Sequence, residues 1–209
     1  MLHRRHFITT VPALVAAPTA LLALPAHAQA AIGQPAPAFT LRDATGKTVR
    51  LADFKGRHVV LEWTNPGCPF VQKHYDGGNI PATQKRAVDR NVVWLAINST
   101  EKSSGDYLEP ARLAGWMAEK RGVPTAVLMD EDGVAGRAYA ARTTPHLYIV
   151  DPQGRLIYAG GIDSIASARA DDIARATNYV DQALAEALAG KPVSQAVTRP
   201  YGCSIKYKI

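Results

Sequence analysis

Cysteine is scarce in this sequence. Cys68 and Cys203 are the only two among 209 residues, which excludes a disulfide-dense scaffold and a zinc site built from four thiolates. Charge is thin as well: 20% of residues are Asp, Glu, Lys or Arg against 47% hydrophobic, so the chain has a core to bury and is not a disordered acidic or basic tail. The net charge of +6 is spread along the chain without a basic run, and nucleic acid is not indicated as a partner. No internal repeat or low-complexity linker divides it, and one domain is expected.

The N-terminus is different. After Met1-Leu2-His3-Arg4-Arg5-His6-Phe7, the stretch from Ile8 to Pro25 contains no Asp, Glu, Lys or Arg, and Ala26-His27-Ala28 supplies the small-x-small pattern of a cleavage site. This layout predicts a signal peptide over residues 1–28. Arg4-Arg5-x-Phe7-Ile8 resembles the bacterial twin-arginine export signal, with His3 where Ser or Thr is usual; an ordinary secretory signal is the alternative. Pro12, Pro18 and Pro25 interrupt a segment barely long enough to span, so no membrane span is expected after cleavage. The destination is periplasmic or otherwise exported, an oxidising compartment, and the fate of the two thiols becomes the main question.

Residues 31–190 read as an α/β domain, with 191–209 as a tail carrying Cys203. A hairpin over Phe39–Leu41 and Thr48–Leu51 comes first. The buried strand Val59–Thr64, with Glu62 inside it, ends at the turn Asn65-Pro66-Gly67. Pro69 opens a helix that breaks near Gly77-Gly78 and resumes after Pro81. A strand over Val92–Ile97 leads to a helix over Glu109–Arg121 whose core face is Leu113, Trp116 and Met117. The strand Thr125–Met129 and a short helix over Val134–Ala141 precede Thr143-Thr144-Pro145. A hairpin, His146–Val150 with Leu156–Ala159, turns at Asp151-Pro152-Gln153-Gly154. The last helix has Ile173, Thr177, Val180, Leu184 and Leu188 at helical spacing and stops at Gly190. Strands alternating with helices, then a hairpin and a helix, imply a central mixed sheet covered on both faces.

Cys68 lies between a buried strand and a helix start, where free backbone N–H groups and the helix dipole favour thiolate. The turn before it and the proline after it place the sulfur on an exposed turn at the sheet's edge, where α/β proteins hold ligands. A buried, inert cysteine is the competing reading. Lys73 reads as a solvated helix position. His58, His74 and His146 are not at ligand spacing and read as structural, so neither a metal nor another cofactor is expected.

The order of strand, Trp63-x-x-x-x-Cys68-Pro69, helix, strand, helix, Thr144-Pro145, strand, turn, strand and helix resembles the thioredoxin fold, with an N-terminal hairpin extension and an inserted strand and helix. Asn65-Pro66-x-Cys68-Pro69-Phe70-Val71-x-Lys73-His74-Tyr75, Thr144-Pro145, Tyr158-Ala159-Gly160-Gly161-Ile162-Asp163 and Gly202-Cys203-Ser204-Ile205-Lys206 resemble the redoxin (alkyl hydroperoxide reductase/thiol-specific antioxidant) subgroup of peroxiredoxin-like proteins. The resemblance implies a thiol-based oxidoreductase with Cys68 as nucleophile and a cis Pro145. It implies that Thr144, Pro145, Trp63 and Pro69 form the substrate site, and that Glu62 is a buried acid assisting proton transfer. A simple pairing of Glu62 with a lysine is the structural alternative.

Departures from the family pattern limit the chemistry. Val71 fills the second place of Cys-x-x-Cys, so no local disulfide forms. Asn65 and Leu61 stand where peroxiredoxins keep Thr or Ser and Pro, and Gln72 fills the second place of a copper-delivery Cys-x-x-x-Cys. Cys203 lies in a tail too broken by Pro200 and Gly202 to be helical. If the tail folds back to Cys68, Cys203 is the resolving thiol. As a permanent staple instead, the bridge would stabilise by up to about 5 kcal/mol in the chain-entropy model. The expected function is exchange with protein or small-molecule thiols and disulfides. A thiol peroxidase acting on peroxides, and a non-catalytic stapled binding or metallochaperone module, are the alternatives.

Overall fold

The computed structural model describes residues 30–208, and the leader expected over 1–28 lies outside them. The central strands are β3 (Val59–Trp63) and β4 (Val93–Asn98), parallel to each other and buried along their whole length. Strands covered on both faces read as continuous β-branched and apolar runs, which is how these two stand out in the sequence. On one side β4 pairs in parallel with β5 (Ala126–Met129), followed by the antiparallel hairpin of β1 (Thr40–Asp43) and β2 (Thr48–Arg50). On the other side β3 pairs with antiparallel β7 (His146–Val150), and β7 with β8 (Leu156–Gly160). The resulting order is β2-β1-β5-β4-β3-β7-β8.

Alternation along the strands sorts two cores. Val60, Trp94, Leu147 and Tyr158 face a layer containing Val71 and Tyr75 of α1 (Pro69–Asp76), Ile80 and Ala87 of α2 (Asn79–Val88), Met117 of α3 (Pro110–Glu119), and Val180 and Leu184 of α5 (Tyr179–Leu188). Leu61, Trp63, Leu95 and Tyr148 face the opposite way, toward Ala135 of α4 (Val134–Ala138), Tyr139 and Leu51. No helix among the described residues is long and apolar enough to cross a membrane.

Helix boundaries differ from expectation: α4 ends at Ala138 rather than Ala141, and α3 spans Pro110–Glu119 rather than Glu109–Arg121. The second helix begins at Asn79 rather than after Pro81, because a proline in the first turn has no intrahelical N–H bond to lose. The last helix is split. Ala170–Arg175 is a separate 3-10 turn, and α5 starts at Tyr179 because the Asn178 side chain caps it by accepting from the N–H groups of Val180 and Asp181 at 3.1 and 3.0 Å.

The tail does not trail away from the domain. At β8 it binds through Ala159 N–H to Ala196 O (2.9 Å) and Thr198 N–H to Ala159 O (3.1 Å). A Cβ on Gly160 would stand 2.1 Å from Thr198 Oγ1, so only glycine lets the tail pass this close. Farther on, Cys203–Ser204 forms a short strand, β9, antiparallel to β6 (Thr143–Thr144). Ile205 N–H then donates to Arg142 O (3.1 Å) and Glu101 N–H to Lys206 O (2.9 Å).

Candidate functional site

The turn after β3 positions Cys68. Asn65 Oδ1 accepts from Gly67 N–H at 2.7 Å, its amide donates to Thr100 Oγ1 at 2.7 Å, and Cys68 N–H closes the turn on Asn65 O at 3.0 Å. Cys68 is thereby the N-cap of α1, with Pro69 at the first helical position. Its thiol donates to the backbone carbonyl of Thr144 at 3.0 Å, and the Thr144–Pro145 peptide is cis.

The expectation of an exposed sulfur is wrong. Cys68 is 2% exposed because β9 lies over it, with Cys203 opposite Thr144 in the ladder. Gly202 makes this approach possible. Its φ is +137°, and a Cβ there would fall 1.9 Å from Thr144 O. Burial and then the neighbouring Cys68 thiol push the Cys203 thiol up to about 12, with Lys206 opposing. Both cysteines are free thiols. They share a cavity of about 110 Å³ whose walls include Thr64, Ser99, Thr100, Asp106 and Lys206.

A buried polar cluster anchors the tail two residues before Cys203. The Tyr201 hydroxyl donates to Asp163 Oδ1 and contacts His74 Nε2 at 2.9 Å, while Asn79 Nδ2 stands 2.9 Å from His74 Nδ1. With Tyr201's proton on Asp163, the network assigns the imidazole proton to Nε2 and leaves Nδ1 to accept from Asn79. Burial, reinforced by Lys73 and opposed by Asp163, lowers His74 to about 4, so it is neutral at pH 7. Lys73 is not solvated. Its ammonium pairs with Asp163 Oδ2 at 3.5 Å, donates to Ile165 O at 3.2 Å and lies 5.7 Å from the Tyr201 ring centroid. Five residues from three separated stretches of sequence thus meet at one point, and sequence reading did not connect them.

Glu62 is fully buried. Its carboxylate accepts from Trp94 Nε1 (2.7 Å), the Tyr75 hydroxyl (2.8 Å) and Gln84 Nε2 (3.1 Å), all neutral donors, and lysine plays no part. Burial raises its pKa against these bonds. It does not line the cavity. Thr64, one pleat nearer Cys68, does, and Thr64 Oγ1 is buried without a hydrogen-bond partner.

Of the other expected site residues, Thr144 touches Cys68 and Pro145 follows it. Trp63 does not reach the thiols. Its ring packs on Tyr139 and Tyr148 at 5.3 and 5.2 Å on the opposite face of the sheet and meets the cavity wall only by donating to Ser99 Oγ at 3.0 Å. The reason is alternation: Glu62 and Thr64 face α1, so Trp63 faces away. Pro69 is exposed beside the cavity rather than in its wall. His146 lies in the Trp63 cluster, 4.5 Å from the Tyr148 ring centroid, and burial lowers it to about 3.

A match to the AhpC/TSA family covers residues 32–159. The chain is 27% identical over 128 residues to the thiol-disulfide oxidoreductase ResA of Geobacillus thermodenitrificans, covering 60% of this chain and 67% of that one. Curated relatives are thus matched over about two thirds of their length, 67% and 64% for the first two. Among solved structures, an uncharacterized conserved protein from Geobacillus kaustophilus superposes with a TM-score of 0.71 at 28% identity, over 85% of this chain and 93% of that one. The thioredoxin domain of a thiol-disulfide oxidoreductase from Bacteroides vulgatus superposes with a TM-score of 0.51 at 22% identity, over 69% and 96%. The fold is thioredoxin-like.

Proposed function

Because the chain belongs to the AhpC/TSA family of thiol-based oxidoreductases, we propose that Cys68 is its nucleophile and Cys203 the resolving thiol of the same chain. The observation that carries this reading is the β6–β9 pairing, which sets Cys203 opposite Thr144 while the Cys68 thiol bonds to the same residue's carbonyl. In the reductive direction, Cys68 thiolate attacks a substrate disulfide, forms a mixed disulfide and releases one substrate thiolate. Cys203 then attacks the Cys68 sulfur. The Cys68–Cys203 bond forms, the bond to substrate breaks, and the second substrate thiolate leaves with the electron pair. Substrates are protein or small-molecule disulfides, and a thiol reductant restores the pair. Glu62 handles a proton in this cycle, and its raised pKa supports that role.

A peroxidase reading has less support, because Asn65 is committed to Gly67 and Thr100 and Leu61 is core. A permanent staple is also less favoured, since the sulfurs border a cavity instead of being sealed in packing. The export-type leader supports a periplasmic or otherwise exported location, with Gln29 the expected first residue of protein recovered from that compartment.

The test is thiol alkylation with mass spectrometry across a redox titration. A Cys68–Cys203 bridge that opens and closes reversibly, and is absent in Cys68→Ser, is expected. A bridge resistant to strong reductant, or no bridge at any potential, refutes the assignment.

A further inference from the structure

Glu62 has a difficulty as a proton handler: it touches neither thiol. Its oxygens are occupied by Tyr75, Gln84 and Trp94, and it is shut out of the cavity that the two cysteines share. Something has to connect them. Strand residues two apart point to the same face, roughly 7 Å along the chain, so Thr64 follows Glu62 toward Cys68. Thr64 lines the cavity with both cysteines, and its Oγ1 is the only buried side-chain polar atom without a partner among the described residues. On its other side, the hydroxyl lies near enough to the Glu62 carboxyl and the Tyr75 phenol to favour the ionised form of each.

We propose that Thr64 is a proton relay between the Glu62 carboxylate and the Cys68/Cys203 pair, an inference that rests on the disulfide-exchange reading above. A threonine hydroxyl accepts and donates at once, which the task requires, and the cavity has room for several water molecules to complete the path. When Cys203 attacks the mixed disulfide at Cys68, its S–H proton passes to Thr64 Oγ1 while the hydroxyl's own proton passes to Glu62. The sulfur electron pair forms the Cys203–Cys68 bond, and the substrate thiolate departs with the pair from the broken bond. Reduction of the bridge runs the transfer backward, and Glu62 returns the proton. The need is real because the Cys203 thiol, held at about 12, is almost wholly protonated at neutral pH. Tyr75 of α1 is the titratable group among the carboxylate's donors, Leu147 faces Glu62 from β7, and Asp106 and Lys206 stand across the cavity.

The experiment follows one step. The reduced full-length protein is treated with methyl methanethiosulfonate, a reagent small enough for the cavity, and conversion of the Cys68 methyl-disulfide adduct to the internal bridge is timed by quenched mass spectrometry from acid to alkaline pH. The wild-type rate should rise as Glu62 ionises, above the usual carboxylate range. Thr64→Val and Glu62→Gln should each lower the neutral-pH rate about a hundredfold and flatten that rise. Thr64→Ser should restore both, and Thr64→Val/Glu62→Gln should be no slower than either single variant. A Thr64→Val profile that keeps the rise, or a double variant whose losses multiply, overturns the relay. If Thr64→Val does not fold, Glu62→Gln still decides, since a wild-type profile there overturns it too. Failure of the wild-type adduct to form any bridge sinks the pairing of the cysteines itself, a result seen before any Thr64 variant is made.

Discussion

Gly202→Ala is the sharpest probe of how access to Cys68 is controlled. The added methyl would stand 1.9 Å from the Thr144 carbonyl oxygen, and both positions are fixed by backbone, so no rotamer relieves the clash. The strands must part. Separating β9 from β6 gives up about two backbone hydrogen bonds at roughly 1 kcal/mol each, and alanine at a positive φ adds about another 1 kcal/mol. The sum, about 3 kcal/mol, lowers the closed population roughly a hundredfold. In a Cys203→Ser background, where only Cys68 is left to react, iodoacetamide alkylation should accelerate by up to that factor. Gly154→Ala, also at positive φ (+82°) but with nothing within 4 Å of its Cβ, is the control that should leave the rate unchanged. An unchanged rate in Gly202→Ala would refute the view that the tail shields the sulfur.

Tyr201→Phe removes the hydroxyl shared by Asp163 and His74 and should cost about 1–3 kcal/mol, visible as faster amide exchange through residues 201–205; unchanged protection there would refute its anchoring role. Because His74 is lowered to about 4, the unfolded chain binds its proton first, so the stability this residue confers is present above about pH 6.5 and lost as pH falls toward 4. Its ring resonances should stay those of neutral imidazole down to about pH 5, and a midpoint near 6.5 would contradict the clasp. Glu62 has the opposite sign: its raised pKa favours the folded state below the usual carboxylate range, and that advantage is lost as pH rises through the folded value. Urea midpoints of Glu62→Gln should lack this slope, and parallel wild-type and variant profiles would show that Glu62 is not perturbed.

The succession of strands and helices along the chain and the helix-start cysteine were legible in the sequence because they depend on local signals: apolar β-branched runs, turn residues and a proline at a first helical position. Glu62 stood out as one acid in an apolar strand. The features that could not be read depend on contacts distant in sequence. Lys73 looks like any helix-surface lysine until Asp163 and Tyr201 are brought beside it, and Cys68 looks exposed until β9 covers it. Trp63 followed from the motif, but the pleat of β3 sends it to the other face. Thr64 carries no local signal at all; its meaning lies in an absent partner.

The strand that covers Cys68 also decides who may visit it. An extended client that pairs with Thr143–Thr144 must compete with β9, which is tethered and present at an effective concentration on the order of millimolar. Weak, unselective clients lose that contest. Under the proposed bridge, with Cys203 bonded to Cys68, the competitor could no longer leave, and the oxidised protein would turn clients away until it is reduced. On that reading, the same two residues that close the proposed cycle would also set the order of its visitors.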